Sequence, residues 1–92
     1  MHLELDIHNY YEHLVIDYLD NEPAYAEYDV DFIADICCLA LSNLPARYIR
    51  HEIDMAFFLS SKQRTEMTGE VRIAVDEARN YLVVKSKQAK TA

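Results

Sequence analysis

The pattern that most constrains the fold is an apolar helical stretch that ends at a proline. Between residues 31 and 44 only a narrow face is polar, and the apolar positions are Phe32, Ile33, Ile36, Cys37, Ala40, Leu41 and Leu44. A helix that is apolar on most sides is buried, so we expect this one to form the centre of the fold. Pro45 has no backbone N–H and disfavours the α conformation at the residue before it, so the helix should end near Asn43.

Two further helices are predicted from apolar side chains spaced three and four residues apart. One covers residues 6–19 and the other covers residues 61–85, with the central helix at 31–43 between them. Residues 20–30 are acidic and form a connection with room for one helical turn. The last residues, 86–92, are basic and polar and are expected to be a fraying tail.

Each predicted helix begins beside a residue that can cap it. Asp6 and Asp31 are the expected caps of the first two helices, because a carboxylate there accepts hydrogen bonds from free backbone N–H groups. Ser60 and Gln63 form a capping box for the third helix, in which each side chain bonds the other residue's backbone N–H.

Length and composition predict one small, mainly α domain. The 92 residues are 51% hydrophobic and 27% charged, with one Gly, and such a composition is typical of a globular helical chain rather than a disordered one. The formal net charge of −7 argues against binding to a nucleic-acid polymer, which requires a basic face. No apolar run is long enough to span a membrane, and the first residues do not resemble a secretory signal, so we expect a cytoplasmic protein.

After Pro45 the apolar period changes from helical to alternating. Residues 49–59 have the pattern of an extended segment with one apolar face, although a short helix over 51–59 competes with it. A lone extended segment must pair with another, and the same segment of a second copy is the nearest candidate. We therefore predict a symmetric homodimer. Its expected interface residues are Ile53, Met55, Phe57, Met67, Val71 and Ala74.

No catalytic motif is present, so we expect that the protein is not an enzyme and has no cofactor. The sequence has no nucleophile elbow, no glycine-rich phosphate loop and no histidine pair at metal-ligand spacing. The acidic connection lacks the glycine and regular ligand spacing of a calcium loop. Cys37 and Cys38 are interpreted as two small buried hydrophobic residues rather than as the halves of an intersubunit disulfide.

The central motif resembles the signature of the late-competence ComFB family. In that family an Asp-Ile pair precedes an Ala-Leu-rich turn and a Leu-Asn-x-Leu-Pro-Pro-x-Tyr motif. The upstream helix from Asn9 to Val15 is also similar to the family's Asn-x-x-Glu-x-x-Val pattern. This chain departs from the signature at Ser42, where the family has Asn, and at Ala46, where it has the second Pro. The residues in register with the central motif are Asp35, Ile36, Ala40, Leu41, Leu44, Pro45 and Tyr48.

The resemblance implies a regulatory protein of natural competence or type IV pilus function and supplies no catalytic residues. Some relatives carry a Cys-x-x-Cys pair just before the Asp-Ile pair, which implies a structural zinc. The matching positions here are Asp29 and Phe32, so we expect no bound metal. Some relatives are also understood to bind the second messenger cyclic di-GMP.

A cyclic dinucleotide would find suitable groups in the loop after Pro45. Arg47 and Arg50 could pair with phosphates or stack on guanine, and Tyr48 offers a second stacking face. Asp35 is a further candidate contact, although it could instead be tethered to the loop or simply face solvent. The two arginines could equally pair with the many carboxylates of neighbouring helices. The competing function is a protein-interaction module that acts through its acidic surface and binds no small molecule.

Overall fold

A computed structural model describes Leu3, residues 7–50 and residues 59–90 of the chain. The described residues confirm a mainly α fold with three main helices. None of these helices is both long enough and apolar enough to cross a membrane. In chain order the elements are β1 (His8–Asn9), α1 (Tyr10–Asn21), a 3-10 turn (Pro23–Tyr25), α2 (Val30–Ser42), β2 (Tyr48–Ile49) and α3 (Ser61–Lys90).

Helix α1 begins four residues later than the apolar pattern predicts. Asp6 lies outside the described residues and Asn9 is the cap, because its side-chain oxygen accepts a hydrogen bond from Tyr11 N at 3.2 Å. The preceding residues His8 and Asn9 are extended, since they pair with β2. Helical periodicity cannot show this competition, because the pairing partners are 39 and 41 residues further along the chain (Asn9 with Tyr48, His8 with Ile49).

Helix α2 begins at Val30 and is capped by Asp29 rather than by Asp31. The Asp29 carboxylate accepts from Phe32 N at 2.8 Å, which leaves Asp31 in the first turn, where a negative charge favours the helix dipole. The helix ends at Ser42, one residue before the predicted end. Asn43 N then donates to Ala40 O at 3.1 Å, which closes the last turn ahead of Pro45.

Helix α3 has the predicted capping box and runs further than expected. Ser60 N donates to Gln63 Oε1 at 2.9 Å, and Gln63 N donates to Ser60 Oγ at 3.1 Å. The helix continues to Lys90, five residues beyond the predicted end at residue 85. Lysines are good helix formers, and positive charge near a helix C-terminus favours the dipole, which explains the extension.

The core lies where α3 packs against α1 and α2. Its largest fully buried side chains are Val15, Ile36, Val71 and Val75, each no more than 1% exposed. Ala40, Ala74 and Ala78 are also buried, and their small side chains allow α2 and α3 to approach closely. The sequence predicted that α2 is the centre of the fold. In the described residues the three helices pack against one another, and the longest of them, α3, contacts both α1 and α2.

Three of the predicted interface residues lie in this core. Met67, Val71 and Ala74 are 8%, 1% and 9% exposed in the single chain. Their contact with a second copy stays a prediction. Residues Ile53, Met55 and Phe57, and the choice between strand and helix over most of 51–59, lie outside the described residues.

The described start of the extended segment is a strand that pairs within its own chain. Tyr48–Ile49 is antiparallel to His8–Asn9, with His8 opposite Ile49 and Asn9 opposite Tyr48. The sequence interpretation proposed a second copy as the pairing partner of the segment. Of the predicted segment 49–59, Ile49 is paired instead with His8 of its own chain, just in front of α1.

Two tyrosine hydroxyls tie the first half of the chain to α3 through one carboxylate. Tyr25 donates to Asp76 Oδ1 at 2.6 Å and Tyr18 donates to the same oxygen at 3.1 Å. The guanidinium of Arg79 lies 5.3 Å from the centre of the Tyr25 ring. A parallel contact joins Tyr11 to Glu70 at 3.1 Å. These bonds allow the polar tips of core tyrosines to be buried without losing a partner.

We predict that Asp76→Ala destabilises the domain more than its exposed neighbour Glu77→Ala does. Loss of the carboxylate leaves the Tyr25 hydroxyl, in a side chain only 2% exposed, without its partner. Such an unsatisfied group costs about 1–3 kcal/mol. Urea unfolding of the two variants measures the difference, and equal free energies of unfolding would contradict the structural role of Asp76.

We also predict that stability falls in alkali in a way that depends on Tyr25. Burial raises the pKa of Tyr25 above its usual value of about 10, and the hydrogen bond to Asp76 raises it further. The folded state therefore holds this proton when the unfolded chain has lost it. The contribution is fully present below about pH 10 and declines as the pH rises above that value. Urea unfolding between pH 8 and 11 should show a shallower decline for Tyr25→Phe than for wild type, whereas identical slopes would contradict the assignment.

Candidate functional site

The loop after Pro45 is held against the start of α1 by the side chain of Asn9. Its carboxamide oxygen accepts from Arg47 N at 3.0 Å as well as from Tyr11 N at 3.2 Å. In return, Tyr10 N donates to Arg47 O at 2.7 Å. One amide oxygen thus caps a helix and fixes the backbone of the loop that follows α2.

The clamped loop presents its polar side chains to solvent. Ile49 is 8% exposed and packs inward, while its neighbour Tyr48 is 68% exposed. Arg47 and Arg50 are also exposed. Because adjacent residues of an extended segment point to opposite sides, burial of Ile49 turns Tyr48 and Arg50 outward. The structure therefore brings Arg47, Tyr48 and Arg50 into one exposed loop.

The charge of Arg47 reaches the first turn of α1. Burial raises the pKa of Tyr11, the hydrogen bond to Glu70 raises it further, and the nearby Arg47 guanidinium acts in the opposite direction. Within the described part of the chain, neither Arg47 nor Arg50 makes a hydrogen bond or ion pair through its guanidinium. The alternative in which carboxylates of neighbouring helices occupy both arginines is not seen among these residues.

The structure does not join Asp35 to this loop. Asp35 lies on the exposed side of α2, and no hydrogen bond links it to Arg47 or Tyr48 in the described ranges. The tether considered from the sequence is therefore not observed there, and the side chain faces solvent. Its contact with a ligand stays a prediction.

The positions that match the thiol pair of some ComFB relatives have another use in this chain. Asp29 caps α2, and the Phe32 ring packs against Tyr28 with their centroids 4.9 Å apart. Over residues 7–50 and 59–90, no three His, Cys, Asp or Glu side chains gather as a metal site. That the protein binds no metal stays a prediction.

The two cysteines differ in their surroundings, and the interpretation of both as buried is wrong for Cys38. Cys37 is half-buried and Cys38 is exposed, and both are free thiols. Adjacent helical residues point about 100° apart, so the core face of α2 cannot cover both. Burial raises the pKa of the Cys37 thiol, and the neighbouring Cys38 and Glu12 raise it further.

These features define a small helical module that displays an arginine- and tyrosine-bearing loop beside the start of its first helix. The chain belongs to the ComFB family, because the family model described as Late competence development protein ComFB matches residues 8–86. Membership implies a competence-related role. No curated protein and no solved structure matches the chain.

Asn9 is the site residue that the sequence interpretation did not identify. In the sequence it is the first residue of the family-like helix pattern. The available signal was an Asn placed directly before an apolar-periodic helix, which is a strong N-cap position. Its second bond, to Arg47 N, spans 38 residues and leaves no trace in local periodicity.

We predict that Asn9→Ala destabilises the domain by about 0.5–2 kcal/mol, the usual cost of losing an N-cap, because it removes both accepted hydrogen bonds. Asn9→Asp should retain most of the wild-type stability, since a carboxylate accepts the same bonds and suits a helix N-terminus. Thermal and urea unfolding measure both variants. Equal stability of Asn9→Ala and wild type would contradict the clamp.

Proposed function

We propose that this protein is a non-enzymatic, cytoplasmic, homodimeric regulator of natural competence or type IV pilus function that binds cyclic di-GMP through the loop after Pro45. The observation that carries the proposal is the exposed set of Arg47, Tyr48 and Arg50 on a backbone fixed by Asn9. The lack of a catalytic motif in the sequence supports a binding role rather than a chemical one.

The loop combines the two kinds of contact that such a ligand needs. Cyclic di-GMP has two phosphates and two flat guanine bases. The guanidinium groups of Arg47 and Arg50 suit the phosphates through paired, charge-assisted hydrogen bonds. The exposed Tyr48 ring offers a stacking face, and an arginine can stack on the other side of a base.

The position of the loop also favours an anion. The N-terminus of α1 lies directly beside Arg47, since Tyr10 N donates to its carbonyl. The positive end of the helix dipole therefore adds to the charge of the two arginines. The chain as a whole is acidic, with a formal net charge of −7, so a dianion is attracted only where basic side chains cluster. Salt should weaken binding without abolishing it, because stacking is insensitive to screening.

A fixed backbone adds to the affinity of such a loop. Ordering a flexible loop upon binding costs conformational entropy, and that cost lowers affinity. Here the backbone of Arg47 is already bonded on both sides, through its N–H to Asn9 and its carbonyl to Tyr10. At this position the ligand has to order the Arg47 side chain but not its backbone.

The second candidate function is a protein-interaction module of the competence machinery that binds no small molecule. Its support is the acidic surface, since residues 10–46 contain no lysine or arginine. A basic partner surface would suit this part of the chain. The two functions differ in whether the isolated protein binds a cyclic dinucleotide at all.

We predict that Arg47→Ala and Arg50→Ala each weaken cyclic di-GMP binding by about 1.5–3 kcal/mol, the usual loss for a hydrogen bond to a charged group. The corresponding lysine variants should recover part of the loss, because they keep the charge but not the planar fork. Isothermal titration calorimetry measures all four.

Arg72→Ala is the matched control for this series. The substitution removes the same charge from an exposed side chain. Arg72, however, lines a groove with Tyr18 and Glu22, towards the other end of α1. The affinity of the Arg72→Ala variant for cyclic di-GMP should equal that of wild type. If wild type gives no heat with cyclic di-GMP, or if both loop variants bind as wild type does, the ligand proposal fails and the interaction module replaces it.

A further inference from the structure

A series of hydrogen bonds connects α3 to the loop after Pro45 through Tyr11. The Tyr11 hydroxyl donates to Glu70 Oε2 on α3 at 3.1 Å, and the Tyr11 backbone N–H donates to Asn9 Oδ1 at 3.2 Å. The same Asn9 oxygen accepts from Arg47 N at 3.0 Å. The path from Glu70 to Arg47 therefore passes through one tyrosine and one amide oxygen. It joins segments that are 59 and 38 residues apart in the sequence.

The Tyr11 side chain is a stiff link between these bonds. Only 5% of this residue is exposed, so its ring is packed in the core, while Glu70 lies on the exposed side of α3. A tyrosine side chain has few rotatable bonds, and close packing holds them in one rotamer. The bond to Glu70 therefore fixes the start of α1 against α3, together with the Asn9 cap to which the Tyr11 N–H is bonded.

Glu70 and Arg47 also act on the same tyrosine hydroxyl through their charges. Burial and the bond to Glu70 raise the pKa of Tyr11, and the guanidinium of Arg47 opposes that rise. Glu70 therefore bears on Arg47 by position, through Tyr11, and by charge, through space. These two effects on an anionic ligand are opposite. An ordered Arg47 favours binding, because less freedom is lost, whereas a nearby carboxylate repels the anion.

A second tyrosine–carboxylate contact between α1 and α3 provides the comparison. Tyr18 donates to Asp76 Oδ1 at 3.1 Å, which matches the bond of Tyr11 to Glu70 in length and in the helices that it joins. Tyr18 lies in the second half of α1, and among the described residues no hydrogen bond connects it to the loop. Loss of either contact loosens α1 from α3. Loss of the Glu70 contact alone interrupts the path to Arg47.

We propose that Glu70 of α3 is a positioning residue for the ligand-binding loop. It acts on Arg47 through Tyr11 and Asn9, by holding the amide oxygen in the orientation that accepts from Arg47 N. The inference rests on the cyclic di-GMP site of the proposed function and adds to that site a residue from another helix. Glu70 itself does not contact the ligand in this arrangement.

The ligand-free protein tests the positioning step by itself. Hydrogen exchange of the Arg47 amide, followed by NMR, measures how often its bond to Asn9 opens, and the buried Val75 amide reports opening of the whole domain. Relative to Val75, Tyr11→Phe and Glu70→Ala should each speed the exchange of Arg47 by about threefold to tenfold. Glu70→Gln should not, because its amide oxygen still accepts from the Tyr11 hydroxyl.

Calorimetry with cyclic di-GMP tests the same step at the ligand site, at a temperature where circular dichroism shows every variant to be folded. Glu70→Gln and Glu70→Ala both remove the carboxylate, so a difference between them isolates the hydrogen bond from the charge. Glu70→Ala should bind about threefold or more weakly than Glu70→Gln. When each is combined with Tyr11→Phe, the two should bind equally, because the hydroxyl through which Glu70 acts is absent.

Asp76→Ala is the matched control, because it removes the other contact between α1 and α3 and should change neither the corrected Arg47 exchange nor the affinity. If Glu70→Ala leaves the Arg47 exchange unchanged, or if Asp76→Ala speeds it equally, Glu70 contributes stability alone and the inference is overturned. Equal affinities of Glu70→Ala and Glu70→Gln would also overturn it. If the exchange rates follow the expected order but wild type gives no heat with cyclic di-GMP, the path from Glu70 to Arg47 is supported and the proposed ligand is refuted.

Discussion

The organisation of this domain depends on one amide oxygen, that of Asn9. By accepting from Tyr11 N and Arg47 N it decides where α1 begins and fixes the loop that leaves α2. Without it, the first helix would lose its cap, and the backbone of Arg47 would keep only the bond that its carbonyl accepts from Tyr10 N. The same bond places Arg47 in the exposed loop, and burial of Ile49 turns Tyr48 and Arg50 outward. Fold and candidate site therefore share a single polar contact, and the stability of the first helix is linked to the geometry of the loop.

The remaining polar contacts of the core serve α3. Tyr18 and Tyr25 meet at Asp76, and Tyr11 meets Glu70, so each end of α1 is bonded to the long helix. This arrangement explains how a chain rich in tyrosine forms a core. The rings supply apolar surface, and the hydroxyl groups reach carboxylates at its edge. Near the end of α3, Leu82 still packs against the core, while Tyr81 and Val84 are exposed.

Much of the fold follows from local pattern, and the exceptions have a common cause. The apolar periodicity predicts all three helices, Pro45 predicts the end of α2, and the Ser60–Gln63 box predicts the start of α3. The errors at the start of α1 and in the partner of Tyr48–Ile49 both arise from the pairing of β1 with β2, a contact between distant parts of the sequence. The loop was predicted to be a site from its residue types. Asn9 was not predicted to be a site residue, because its bond to Arg47 N is evident only when the start of α1 and the loop after Pro45 lie side by side.

The central claim is that the clamped loop is the ligand-binding surface, and an NMR titration tests it most directly. With uniformly nitrogen-15-labelled protein, addition of cyclic di-GMP should shift the amide signals of Arg47 to Arg50 and of Tyr10 and Tyr11, which share the clamp. Amides of α3 around Arg72 should not move. Saturable shifts confined to the loop and the start of α1 would support the account. Shifts that cluster around Ile16 and Ile33, between α1 and α2, or no shifts at millimolar ligand, would contradict it.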